Sequence, residues 1–374
     1  MKNTGSTVAA VMLSLGTMAA TTAPAQETAK PASPSLADVI AASGITLNGY
    51  VAASWSRNSG YPFNIHQFDT KHDSFQLDQA GLGIAYQPKE GFGGLVDLIA
   101  GEDARILHAA EDGNDNSFDV RQAFIQYATG SLTVMAGKML TLAGAEVINP
   151  TLNTNFSRSL LFFDSEPLTH TGIRATYALG DTFTVTAGIN NGWNSTSTSY
   201  GSKTGEAGFG WTPNKTFSLL GTAYFGKTDP GFGGNDAMKT LFDVVATYNA
   251  ASSLTFIVNL DINKWDDALG ANQDAKWQAV AAYANYAISD QWRMSLRLEY
   301  LDDKDGFVSG SEQKLKEATL TVGFAPSKNF ELRLEGRVDK ADDDTFYKTR
   351  DAIAALRPDT DSLTGFAVQG VFKF

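Results

Sequence analysis

The sequence predicts an all-β protein, an antiparallel transmembrane β-barrel of about sixteen strands, on three observations. Hydrophobicity alternates with period two through segment after segment from Ile45 onward, as a strand requires. Very short turns and longer polar loops join these segments alternately, the grammar of an outer-membrane barrel. The last stretch, Ser362 to Phe374, sets Phe366, Val368, Gly370, Phe372 and Phe374 on one face. Gly365, Ala367, Gln369, Val371 and Lys373 fall on the other. A strand ending on Phe-Lys-Phe suits a face turned to lipid, and Phe372 and Phe374 are the expected signal to the barrel-assembly machinery.

The amino-terminal segment fits export. Met1-Lys2 is a basic start, Val8 to Ala20 is an apolar core, and Ala23-Pro24-Ala25 offers a cleavage site before Gln26. That core is about 13 residues long, too short to span a bilayer as a helix. Residues 1–25 therefore read as a signal peptide, 26–44 as a periplasmic linker with one or two helical turns near Leu36 to Ala42, and 45–374 as the barrel. No later stretch holds 18 consecutive apolar residues. The mean hydropathy of −0.17 does not oppose a membrane protein, because lipid-facing and lumen-facing residues cancel in any average.

The strands are expected at 45–56, 75–86, 92–101, 118–128, 132–142, 168–178, 182–192 and 205–212. The second half continues at 216–227, 239–249, 254–264, 276–287, 292–302, 315–325, 330–340 and 362–374. Turn-forming residues separate them in pairs, as in Thr129-Gly130-Ser131, Pro213-Asn214-Lys215 and Ser289-Asp290-Gln291. Trp292, Met294, Leu296, Leu298 and Tyr300 face one way, and Arg293, Ser295, Arg297 and Glu299 the other. A helix would scatter those charges round its axis. Aromatics recur at strand ends (Tyr86, Tyr127, Tyr177, Trp211, Tyr248, Tyr286, Trp292, Phe330), as an interfacial girdle would.

The longest loop, the third, runs from about Ala143 to Pro167 and carries Leu160-Leu161-Phe162-Phe163. Four such residues need a packed site, so the loop is expected to fold inward. It would constrict the pore with Glu146, Arg158, Asp164 and Glu166 as its polar lining; the alternative is packing at the rim or at a subunit contact. Arg293, Arg297, Arg333 and Arg337 face inward on strands thirteen and fifteen, about 10 Å apart laterally, with Glu299, Glu335 and Asp261 among the other lumen residues. They form either a cationic wall opposite the acidic loop or an internal ion-pair ladder.

Gly144-x-Glu146-x-Ile148-Asn149-Pro150, Asn155-Phe156-Ser157-Arg158-Ser159, Pro167-Leu-Thr-His170-Thr-Gly172 and Asn190-Asn191-Gly192-Trp193 resemble the OmpL-like β-barrel porin family of Gram-negative outer membranes. The resemblance runs from about Ile45 to Phe374 and is most specific over Gly137 to Trp193. It implies an outer-membrane channel for passive diffusion of small hydrophilic solutes or ions, and it brings no catalytic set, cofactor or named solute.

Other classes fit less well. Formal charge is −12 without basic runs, which argues against nucleic acid, and Cys is absent. Four His and no HExxH, Walker A or GxSxG leave nothing for catalysis. Asp112-Gly-Asn114-Asp-Asn116 fails as a calcium loop, with Ser117 and Ala123 at positions needing Gly and Glu, so no metal site is expected. The second and last loops read as solvated acidic segments (Glu102, Asp103, Glu111, Asp112, Asp115; Asp342-Asp343-Asp344), the alternatives being divalent cations that bridge lipopolysaccharide or a bias of the mouth toward cations. The rival reading is a closed barrel in adhesion or envelope anchoring. Expected partners are outer-membrane lipid and lipopolysaccharide, the assembly machinery, small polar solutes and a homotrimer.

Overall fold

Period-two alternation produces strands along the whole chain in the computed structural model, which describes residues 35–62, 65–113, 115–198, 201–227 and 237–374. The expected signal peptide and most of the linker lie outside the described residues. The first eight strands are β1 (Thr46–Asn58), β2 (Asp73–Tyr86), β3 (Gly91–Ala100), β4 (Phe118–Thr129), β5 (Leu132–Leu140), β6 (Thr169–Ala178), β7 (Phe183–Asn190) and β8 (Thr204–Trp211). The rest are β9 (Phe217–Lys227), β10 (Met238–Ala251), β11 (Leu254–Gly270), β12 (Gln273–Ala287), β13 (Trp292–Asp303), β14 (Gln313–Ser327), β15 (Phe330–Ala341) and β16 (Ser362–Lys373). Each pairs antiparallel with the next, and β1 pairs with β16 from Tyr50↔Lys373 to Asn58↔Gly365, closing the ring. Closure leaves no strand edge unpaired, which a spanning sheet in lipid requires.

Most strand ends fall within two residues of those expected. The hairpin β11–β12 departs furthest, because its strands continue past Trp265 to Gly270 and from Gln273. Polar residues there suggested a loop, yet Lys264 reaches Asp266 at 2.5 Å and Asp274 at 3.0 Å and holds the extended pair.

Among the described residues, one α-helix precedes the strands and three lie in their connections. Helix α1 (Leu36–Ser43) starts on a capping box in which the Ser35 side chain accepts from Asp38 N and Asp38 accepts from Ser35 N. Helix α2 (Glu102–Asp112) corrects the reading of the second loop as a solvated acidic segment. Asp103, Ala104 and Leu107 are buried; Asp103 accepts from Gln79, and Glu111 accepts from Lys138 and Thr169. Acidic composition concealed an apolar face at helical spacing. Helices α3 (Leu160–Asp164) and α4 (Arg350–Ala354) sit in the third and last outer loops.

The ring turns its apolar face outward. Ile125, Ile173, Ile189, Leu298, Phe366 and Phe372 are exposed there, where acyl chains are the solvent. All eight girdle aromatics expected from the sequence are exposed at the strand ends beside the short turns. The core lies inside the barrel. Leu160 and Leu161 pack with Ile65 of the first loop against Ala279, Ala281, Tyr283, Leu301 and Leu315 of the wall. Phe162 packs with Phe68, Ile99, Leu107, Ile148 and Leu168. The third loop therefore folds inward, as its Leu-Leu-Phe-Phe run predicts.

Candidate functional site: the loop-filled lumen

The third loop builds its own scaffold before it meets the wall. Asn149 accepts from Thr151 N and starts a 3-10 turn at Pro150–Leu152, whose proline lacks a donor the turn would leave unpaired anyway. Asn153 donates to the carbonyls of Val147 and Asn149 and accepts from Val147 N. Arg158 then donates to three carbonyls of the same loop, Val147 at 3.0 Å, Phe156 at 2.8 Å and Ile148 at 3.0 Å. Its guanidinium lies over the rings of Phe68 and Phe162. Ser159 caps α3 by accepting from Phe162 N. Arg158 thus stands inside the loop as its internal brace, 2% exposed.

From Thr154 onward the loop climbs the wall made by β12 to β15, and wall side chains bind its backbone at nearly every step. Arg293, at the turn end of β13, donates to Thr154 O at 2.6 Å. Asn155 donates to Thr321 at 2.7 Å. Glu335 accepts from Phe156 N at 2.7 Å and Ser157 N at 2.9 Å, and Arg337 donates to Arg158 O at 2.7 Å. Glu299 accepts from Leu160 N at 2.8 Å, and Trp277 donates to Ser165 at 3.2 Å near the outer end. Arg333 reaches back to Pro150 O at 3.0 Å. On the other side Tyr224 of β9 accepts from Leu142 N, and Asn259 of β11 accepts from Ala145 N. Backbone donors removed from water need partners, and the wall supplies them.

Arg297 is the centre of this network and is fully buried. It contacts Glu146 of the loop at 2.8 Å, Glu299 at 3.0 Å and Glu317 at 3.2 Å, and donates to Ser157 O at 3.0 Å. Glu146 also accepts from Ser159 N at 2.6 Å. Arg333 pairs with Glu331 at 2.8 Å and Arg337 with Asp339 at 2.8 Å; Arg293 pairs with Glu331 at 2.5 Å and is the one of the four left partly exposed. Of the two arrangements open from the sequence, the geometry has the ion-pair ladder, with the acidic loop residue inserted into it. No open gap separates Arg297 from Glu146.

Glu166 is buried against Gly144, whose φ of +91° needs glycine and whose missing Cβ would lie 2.0 Å from Glu166 Oε2. Asp261 faces inward beside Asp243. The side chain of Asp164 lies outside the described residues. Phe372 and Phe374 face lipid at the β1–β16 seam.

One contributor carried no signal in the sequence. His66 of the first loop stands 2.7 Å from Asp69 and 3.2 Å from Asp339, tying that loop to β15. Burial opposes the charge on Asp69, yet His66 and Arg337 hold its carboxyl down at about 2. Arg121 clasps Asp97 at 2.6 Å and Arg174 clasps Glu206 at 2.5 Å on the opposite wall.

The lumen is not filled completely. Inward residues of β4 to β9, including Phe124, Met135, Thr176, Thr186 and Leu220, keep partial or full exposure. A cavity of about 610 Å³ opens at the turn end, between Leu152–Thr154 of the loop and Arg293, Glu331, Arg333, Lys328 and Lys373.

The same architecture recurs in solved outer-membrane proteins. Vibrio cholerae OmpT, in a trimer form, superposes with TM-score 0.63 at 13% identity, over 88% of this chain and 99% of that one. An anion-selective porin from Comamonas acidovorans gives 0.62 at 13% identity, over 88% and 99%. The outer-membrane channel DcaP of Acinetobacter baumannii gives 0.61 at 14% identity, over 88% and 97%. At these identities the likeness establishes the fold. No curated protein matches the sequence significantly. Residues 44–374 match the family described as "Putative beta-barrel porin-2, OmpL-like". A closed sixteen-strand barrel whose whole ring lies inside that match makes this chain a member of the OmpL-like β-barrel porin family, an outer-membrane channel for passive diffusion.

Proposed function

We propose that solutes cross beside the third loop, along the β4–β9 side of the lumen, and that this loop sets the width of the passage. The observation that carries the reading is the run of wall-to-loop hydrogen bonds from Arg293–Thr154 at the turn end to Trp277–Ser165 near the outer end. A loop held at so many heights is a fixed partition. The free side, with Thr176, Thr186 and Gly188 facing inward, is weakly polar, which suits small hydrophilic solutes without a strong binding step. Glu146, Arg158 and Glu166 would then shape the constriction from within rather than touch the solute, and Arg293 and Glu331 would line its turn-side mouth.

In this reading the protein performs no chemistry and needs no cofactor. It is cleaved after residue 25, inserted through the assembly machinery by way of β16, and surrounded by lipid and lipopolysaccharide. The OmpT trimer form supports a homotrimer here.

Single-channel recording of the refolded chain tests the reading. Deleting Leu152–Phe163 should raise conductance, because it removes the partition while leaving every strand intact. Equal conductance in both proteins would take the loop out of the pore, and silence from folded wild-type protein would mean that the loops close the barrel.

A further inference from the structure

Three carboxylates meet where the third loop returns to the wall: Glu166 from the loop, Asp243 from β10 and Asp261 from β11. One oxygen of each lies within 4.8 Å of one on both others. Two oxygens on a common calcium ion, each 2.3–2.6 Å from it, can be at most about 5 Å apart, so the spacing admits one shared ion. All three residues are more than nine-tenths buried.

Clustered acids alone decide nothing, but these are left incomplete. Glu166 Oε2, Asp243 Oδ1 and Asp261 Oδ2 are buried with no donor of the protein facing them, and the carboxyls of Glu166 and Asp243 have that of Asp261 within hydrogen-bond reach. Asn259 satisfies the other oxygens of the two aspartates, at 2.7 Å and 3.3 Å. Among the described ion pairs, none reaches any of the three acids, whereas Glu146, Glu299, Glu317, Glu331 and Asp339 of the arginine ladder each have a cation. Asn263, 2% exposed and on the same inward face two residues beyond Asp261, also has both amide atoms unpartnered. Buried charge is retained only when something neutralises it.

We propose that Glu166, Asp243 and Asp261 bind one calcium ion that fastens the end of the third loop to the barrel wall. The donor set is all oxygen, with neither thiolate nor imidazole, which selects a hard cation. Calcium fits better than magnesium, because it accepts flexible geometry and bidentate carboxylates, whereas magnesium demands near-ideal octahedral geometry. Gly144 is only partly exposed beside Glu166 and forms the side of the site nearest the loop. The assignment does not depend on whether the channel conducts.

Calorimetric titration of calcium chloride into the EDTA-treated, detergent-folded chain tests it. We expect one saturable site per chain and a calcium-dependent rise in the unfolding temperature. Both should be lost in Asp261→Asn and kept in a variant neutralising Asp342, Asp343 and Asp344, which controls for loose binding at the acidic outer loop. Absence of a saturable site in wild type, or its survival in Asp261→Asn, would overturn the proposal and leave protons shared among the carboxyls as the neutralising agent. If Asp261→Asn does not fold, Glu166→Gln on the loop serves the same comparison, and the wild-type titration stands by itself.

Discussion

Arg297 shows how one side chain links the wall to the loop. With no exposure it balances Glu146, Glu299 and Glu317 and also binds the Ser157 carbonyl. A buried pair adds little over a well-packed apolar core, but removing one partner strands the others. Arg297→Ala leaves Glu146 and Glu299 without a cation and Glu317 with only Arg337, at 3.9 Å, and should cost about 3–5 kcal/mol of stability. A urea unfolding midpoint in detergent checks this; a midpoint within error of wild type would show that the acids simply take up protons. Arg158 is a different case, because its partners are backbone carbonyls. Its charge was visible in the sequence as a candidate lining group. That it points into its own loop was not, since the carbonyls it satisfies exist only once the loop has turned.

At the scale of elements, β16 decides closure. Gly49 N donates to Phe374 O at 3.1 Å, and Phe374 N donates to Gly49 O at 2.9 Å, extending the seam by one residue. The Phe374 ring covers Gly49 so closely that a Cβ there would lie 2.3 Å from it, so glycine and ring fit as a pair. Phe374→Ser should therefore lower the amount of assembled barrel without changing the conductance of barrels that do form. Quantifying the folded band by its heat-modifiable mobility, alongside single-channel recording, separates the two effects; normal assembly would remove Phe374 from the closing step. The strands themselves were readable, because alternation with period two survives any context that has a wet side and an apolar side. Helix α2 was not, because its buried residues are few and its buried acids Asp103 and Glu111 find partners on other elements, at Gln79 of β2 and Lys138 of β5.

For the molecule as a whole, charge is spent unevenly. The arginines of β13 and β15 are matched by carboxylates inside the lumen, while Asp342, Asp343 and Asp344 remain exposed at the outer mouth. The formal charge of −12 then acts at the mouth more than in the wall. Reversal potentials in a salt gradient should show cation preference, reduced when those three aspartates are neutralised. Anion preference would mean that Lys328, Lys373 and Arg293 around the turn-side cavity dominate.

The sequence by itself determined the barrel, its strand number, the lipid-facing side of each strand and the inward fold of the third loop. Each of these follows from a local rule, either the two-residue period of a strand in an apolar solvent or the need of Leu160 to Phe162 for a dry contact. What the charged residues do was decided only by tertiary structure. Glu146 lies 151 positions from Arg297, and Glu166 lies far in sequence from Asp243 and Asp261. No spacing announces such meetings, since they arise when a ring of sixteen strands closes around a folded loop. Whether an inward arginine faces water or grips a carbonyl depends on what the ring encloses.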